Sequence, residues 1–158
     1  MDIIQHCSLI TRLPFDFSPS IWEHYWIGNC YEYLLNYQNP SKTPTTVGSL
    51  IGKEFNPYFS NQELIDTLTE ELHMLGFTIE ETNNHSNVPD GKMKFFVSRS
   101  RCGDYHFYRL DSNGDWSHKL SYSAPNNLDF SGNKIILPET ACSTDISVGY
   151  FLLSLIKK

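Results

Sequence analysis

The chain has 158 residues, a formal net charge of −6 and a sequence pI near 5.4. This length predicts a single domain, residues 1–158, that can bury a full hydrophobic core. An aromatic content of 14% within 40% hydrophobic residues excludes a disordered chain. No run of basic residues is longer than Lys157-Lys158, which excludes the basic surface that nucleic acid or an anionic membrane would require.

The N-terminal segment has an acidic second residue and no apolar stretch of signal-peptide length, and no segment approaches a transmembrane span. We therefore expect no membrane insertion and a cytoplasmic protein as synthesised, with export by a specialised secretion system left open. The cysteines at positions 7, 30, 102 and 142 form no C-x-x-C pair or metal-ligand spacing. Reduced thiols, no metal and no other cofactor are expected.

The first third of the chain predicts short helices between irregular segments. Residues 1–27 read as a lead-in with one helical turn starting near Ser18 or Ser20. Asn29 is a good N-cap for two helical turns, so Cys30 falls in the first turn. Residues 38–60 contain several prolines and glycines and predict a loop-rich crossing.

The most regular pattern is a helix that begins after Ser60. Ser60 and Glu63 fit a capping box, and leucines recur at helical spacing until Gly76 ends the pattern. Apolar and β-branched runs then predict short strands. These runs lie at residues 77–80, 92–100, 134–137 and 148–156.

Residues 104–119, DYHFYRLDSNGDWSHK, predict a β-hairpin that carries two histidines. If Gly114 closes a three-residue loop in the left-handed conformation, Asp111 pairs with Asp115. That register places His118 opposite Tyr108, on the same face as His106. A two-residue turn would instead place the two histidines on opposite faces, because a one-residue slip reverses every side chain.

These elements suggest a cysteine nucleophile with a histidine base. A thiol in the first turn of a helix faces unpaired N–H groups, which with a nearby imidazolium can lower its pKa from about 8.5 to roughly 3.5–7.5. Cys30 would attack an acyl carbon, His106 would act as base and acid, and His118 would orient His106. Asn29 is a candidate oxyanion donor with the Cys30 backbone, and the residues that could line a cleft are Tyr31, Trp26 and Tyr108.

The motifs NCYEYL and DYHFYR…WSHK resemble the papain-like fold of the NlpC-type cell-wall peptidases. Cys30, His106 and His118 match that family's cysteine, strand histidine and third polar residue in order. The resemblance implies an α+β fold in which an antiparallel sheet packs against N-terminal helices and the nucleophile lies at a helix N-terminus. It also implies a cysteine peptidase or amidase acting on peptide, peptidoglycan or protein, as a bacterial cell-wall hydrolase or secreted effector.

Departures from the family pattern follow two of these positions. Tyr31 and Glu32 stand where the family usually has a pair of small residues, and Phe107 and Tyr108 stand where it usually has valine and glycine. Two other functions stay open. The first is a non-enzymatic binding, immunity or adaptor protein with packed histidines. The second is a zinc site in which Asp104 joins the two histidines.

Overall fold

The computed structural model describes residues 13–23, 28–40, 43–120, 123–141 and 145–156. These residues form a five-stranded antiparallel sheet with a few helices, so the predicted α+β class is confirmed. In the described ranges, no helix combines the length and apolar character that crossing a membrane requires.

The regular elements follow the order predicted from the sequence, except that no strand forms at residues 134–137 and a short helix that was not predicted follows at Pro138–Ala141. The helices are α1 (Pro19–Glu23), α2 (Cys30–Leu34), a 3₁₀ turn (Ser49–Ile51), α3 (Asn61–Met74) and α4 (Pro138–Ala141). The strands are β1 (Phe77–Thr82), β2 (Lys92–Arg99), β3 (Tyr105–Leu110), β4 (Trp116–Ser117) and β5 (Ile146–Leu155).

The spatial order of the strands is β1-β5-β2-β3-β4, so the C-terminal strand lies inside the sheet. β5 pairs antiparallel with β1 on one side and β2 on the other. The pairing of β5 with β2 shifts register between Val97 and Ser98, beside Gly149. The apolar runs predicted as strands at residues 92–100 and 148–156 thus form β2 and β5 at the buried centre of the sheet.

The hairpin from β3 to β4 has the register predicted from Gly114. Gly114 adopts φ +86° and its N–H donates to the Asp111 carbonyl, while the Asp111 N–H donates to the Asp115 carbonyl at 2.9 Å. Leu110 then pairs with Trp116, which continues the same register along both arms. The three-residue loop is therefore confirmed, and both histidines share one face of the sheet.

Helix α3 is also confirmed at both ends. The Ser60 side chain accepts from the Glu63 N–H at 3.0 Å, the Glu63 carboxylate accepts from the Ser60 N–H at 3.3 Å, and Gly76 follows the C-cap with φ +94°. The leucine stripe packs into the core, and the residues Leu64, Leu68 and Leu72 have no exposed surface. His73 is exposed, off this stripe.

Apolar clusters cover both faces of the sheet. The larger cluster lies under α2 and α3 and includes Phe95 and Phe107. The smaller cluster lies on the opposite face and includes Phe96 and Tyr108. Since successive side chains of a strand point to opposite faces, β2 and β3 supply residues to both clusters.

Arg99, at the end of β2, forms hydrogen bonds that hold two loops against the sheet. Its guanidinium donates to the carbonyls of Pro57 at 3.0 Å and Gly103 at 2.8 Å, and also to the Phe59 carbonyl. Gly103 has φ +92°, and a Cβ there would lie 2.2 Å from the Pro57 oxygen. The two loops therefore pack backbone against backbone, which only glycine permits.

The connection after β4 differs from the prediction. Residues 134–137 do not form a strand; Lys134 forms an isolated bridge with Leu128, and the Ile135 N–H donates to the Asn127 carbonyl at 2.9 Å. The turn between them is closed by Asp129, whose side chain accepts the N–H groups of Ser131 and Asn133, each at 2.9 Å. This short polar turn leaves too few paired residues for a strand.

Candidate functional site

The start of α2 is fixed by a complete capping box. The Asn29 side chain accepts from the Glu32 N–H at 2.9 Å, and the Glu32 carboxylate accepts from the Asn29 N–H at 3.1 Å. The Asn29 amide also donates to the Thr45 carbonyl at 2.7 Å. The predicted N-cap is therefore correct, and Cys30 is the first helical residue. The Asn29 side chain is occupied by these structural bonds.

Cys30 lies against the start of β3. Its Sγ is 3.9 Å from the Tyr105 carbonyl oxygen, and it packs against the larger apolar cluster. Burial raises the pKa of the Cys30 thiol to about 11, although nearby backbone N–H groups and Lys119 act in the opposite direction. The expected low pKa is therefore wrong, because loss of hydration outweighs the helix N-terminus.

Lys119 is a buried charge near Cys30 that the sequence did not reveal. Its side chain has no exposed surface, and its amine donates to the Gly28 carbonyl oxygen. Burial lowers the pKa of Lys119, whereas the charges of Glu32 and Cys30 raise it. Its position beside His118 in the sequence gives no signal of this contact, which brings together segments 91 residues apart.

His106 and His118 form a hydrogen-bonded pair on the other face. His106 Nε2 lies 2.9 Å from His118 Nδ1, and His118 Nε2 lies 2.7 Å from the Leu128 carbonyl oxygen. A carbonyl can only accept, so His118 carries its proton on Nε2, and in the neutral ring Nδ1 accepts from His106. The sequence-based register thus brings the two histidines together as predicted.

Aromatic rings enclose this histidine pair. The Tyr108 ring stacks on His118 with centroids 4.8 Å apart and 13° between the planes, and Phe130 meets His118 edge to face. Burial and the charge of its neighbour lower the pKa of His106 to about 3, and burial also lowers the pKa of His118. Both rings are therefore neutral at pH 7.

Cys30 and His106 belong to opposite sides of β3. Cys30 packs with the cluster that contains Phe107, whereas His106 points with Tyr108 to the other face. No hydrogen bond joins Cys30 and His106 in the described part of the chain. The structure brings together two of the three predicted residues; the catalytic roles of Cys30, His106 and His118 stay a prediction.

The predicted cleft residues are packed in the interior. Tyr31 has no exposed surface, stacks on Phe107 and donates its hydroxyl hydrogen bond to Glu71. Tyr108 is 1% exposed. Trp26 lies outside the described residues. The part of the chain with assigned structure also contains no group of three or more His, Cys, Asp or Glu side chains placed to hold a metal ion.

The chain is similar to a protein named insoluble matrix shell protein 1 from Ruditapes philippinarum. The two are 60% identical over 115 residues, which cover 72% of this chain and 69% of that protein. No family model matches the chain. No solved structure matches it either.

This similarity corrects several predictions from the sequence. The relative is named as a matrix shell protein, so the predictions of a cysteine peptidase or amidase, a bacterial cell-wall hydrolase and a secreted effector are wrong. The predicted peptide, peptidoglycan or protein substrate and the cytoplasmic location are wrong for the same reason. The motifs around Cys30 and the two histidines misled because their spacing is compatible with tight packing as well as with catalysis. At this identity and coverage, the chain belongs to the family of insoluble matrix shell protein 1.

Proposed function

We propose that this chain is a non-enzymatic structural protein of an insoluble extracellular matrix of the shell type. The observation that carries the proposal is the 60% identity over 115 residues to insoluble matrix shell protein 1. Its partners in this proposal are components of the matrix rather than a substrate. The proposal corresponds to the binding-protein alternative that the packed histidines left open.

The environment of Cys30 supports a structural role. A thiol reacts as its thiolate, and a pKa of about 11 leaves almost none of it ionised at pH 7. The side chain instead fills space between α2 and the Tyr105 end of β3. Cys30 in this proposal is a packing residue, as free cysteines commonly are.

The histidine pair supports the same role. Both rings are neutral, and Leu128 and Phe130 cover His118 from the long connection after β4. Through these contacts, the histidine pair holds this connection against the sheet. In this proposal the hydrogen bonds between the rings serve folding, since buried polar groups must find partners.

Within this proposal, the fold is a papain-like fold of the NlpC type that serves as a scaffold without hydrolysis. The support is the capped helix that begins at Cys30, followed by a sheet whose hairpin places His106 beside His118. A fold and an activity are separable, so a scaffold of this kind can carry a structural function.

The experiment is a sedimentation assay with the insoluble residue of a demineralised mollusc shell. Purified protein should move into the pellet with this residue and stay in the supernatant with microcrystalline cellulose. The Cys30→Ser variant should sediment as the wild type does, because the thiol takes no part in binding. Glu54→Lys, a charge reversal at an exposed side chain outside the histidine pair, should also sediment as the wild type does.

Retention of the wild type in the supernatant would contradict the matrix proposal. Loss of sedimentation in Cys30→Ser, with the folded state confirmed by circular dichroism, would contradict the packing role of the thiol. A His106→Gln variant that stays folded should sediment normally, which separates the fastening role of the pair from any binding role.

A further inference from the structure

Strand β1 has one edge open within the described ranges. β1 (Phe77–Thr82) pairs only with β5, so half of its six residues direct backbone N–H and C=O groups away from the sheet. Helix α3 packs over one face of this strand, where Phe77 and Ile79 join the larger apolar cluster. An extended segment can therefore add to the sheet here by backbone hydrogen bonds.

A cleft of about 300 Å³ lies between α3 and the face formed by β1 and β5. Its apolar floor is formed by Ile65, Ile79, Val148 and Phe151. Ile79 is on the open strand itself, so the cleft lies where alternate side chains of an added strand would point. An apolar side chain next to Ile79 would fill it.

The rim of the cleft is acidic. Asp66 of α3 and Glu81 of β1 are both exposed, and the residues lining the cleft include no lysine, arginine or histidine. The Gln62 amide donates to Asp66 at 2.7 Å, which leaves the negative charge of the carboxylate in place. Glu81 is two residues from Ile79 and on the same face, so a basic side chain two residues from the apolar one would meet it: after it in a parallel segment, before it in an antiparallel one.

These charges decide between a second copy and a different partner. Two copies joined edge to edge through β1 would add a second Glu81 to this acidic rim, and like charges across strands are destabilising; Glu80 lies on the other face, where it forms an ion pair with Lys92 at 3.1 Å. A segment that carries lysine or arginine would instead place a positive charge beside these carboxylates, and the interaction would be attractive. The acidic rim therefore disfavours a second copy of this chain and favours a basic partner.

We propose that the β1 edge and its acidic cleft bind an extended protein segment in which an apolar and a basic residue alternate on one face. The segment forms an additional strand beside β1, with its apolar side chain on the cleft floor and its basic side chain between Asp66 and Glu81. This interaction rests on the fold and the charges of the edge, and it is independent of the proposed matrix function.

The test is an NMR titration of the labelled protein with the peptide Ser-Val-Thr-Lys-Thr-Val-Ser, which presents valine and lysine on one face. A peptide with glutamate in place of lysine is the control. The lysine peptide should bind at least about tenfold more tightly and slow amide exchange along β1. Glu81→Lys should abolish this preference, whereas Glu54→Lys, with the same change in net charge outside the cleft, should keep it.

Equal binding of the two peptides would overturn the proposal, as would chemical shift changes confined to another surface. Protection of every β1 amide in the free protein would also overturn it, because the edge would then be occupied by the chain itself. A Glu81→Lys variant that binds the lysine peptide as the wild type does would show that the cleft does not select charge.

Discussion

Acid should destabilise the protein through its histidine pair, and the magnitude follows from His106. The pKa of His106 is about 3 in the folded state against 6.5 for the ordinary group. Unfolded chains therefore take up a proton near pH 6.5, which the folded protein does not accept until about pH 3. This stabilisation is fully present above pH 6.5 and is lost as the pH falls.

Each pH unit below 6.5 costs about 1.36 kcal/mol, so lowering the pH from 7 to 5 should remove about 2 kcal/mol of the free energy of unfolding. The pKa of His118 is also lowered and acts in the same direction. Glu32 and Asp111 have raised pKa values and act in the opposite direction, because they bind a proton more readily when folded. Comparing the wild type with a variant that lacks only the His106 imidazole cancels the contributions of these other groups.

The variant is His106→Gln, whose side-chain amide can still donate to His118 Nδ1. Urea unfolding of both proteins at pH 7, 6 and 5 gives the free energy of unfolding at each pH. The wild type should lose about 2 kcal/mol more than the variant over this range. Parallel losses in the two proteins would refute the reasoning, since they would show that His106 is not excluded from protonation by the fold.

Three other changes have expected outcomes. Asp111→Asn should cost about 3–5 kcal/mol in urea unfolding, because it leaves the buried Arg109 guanidinium without its carboxylate at 2.8 Å; a cost below about 1 kcal/mol would contradict a buried ion pair. Gly114→Ala should cost about 1 kcal/mol from its φ of +86° alone, since nothing lies within 4 Å of the added Cβ; unchanged stability would argue against the three-residue turn. At pH 7 exposed Cys102 should react with iodoacetamide at least about tenfold faster than Cys30, whose pKa is raised from 9.0 to about 11; equal rates measured by mass spectrometry would contradict the burial of Cys30.

Local patterns predicted much of the fold. The register of the hairpin followed from one residue, Gly114, because a left-handed glycine fixes the number of residues in the turn. The helix ends followed from Asn29 and Ser60 in the same way, since a capping box involves residues only three positions apart. These predictions succeeded because the interactions that determine them join residues that are close together in the sequence.

The chemistry of the site could not be predicted in this way. The pKa of Cys30 depends on how far the thiol is buried. That burial is produced by β3 and by Lys119, which lies 89 residues later in the sequence. The general rule for a thiol at a helix N-terminus assumes a hydrated or positively charged environment. Likewise, the hairpin register gave the correct partner for His106, but it could not show that α2 packs Cys30 on the opposite face of the sheet, with Phe107.

Arg99 has a consequence for how this sequence can vary. Its five N–H groups make five hydrogen bonds, with the carbonyls of Pro57, Phe59 and Gly103 and the side chain of Asn61 as acceptors. Lysine has three donors from a single atom and cannot reach both loops at once. In relatives that retain glycine at position 103, arginine should therefore persist at position 99, and the two positions should change together or not at all.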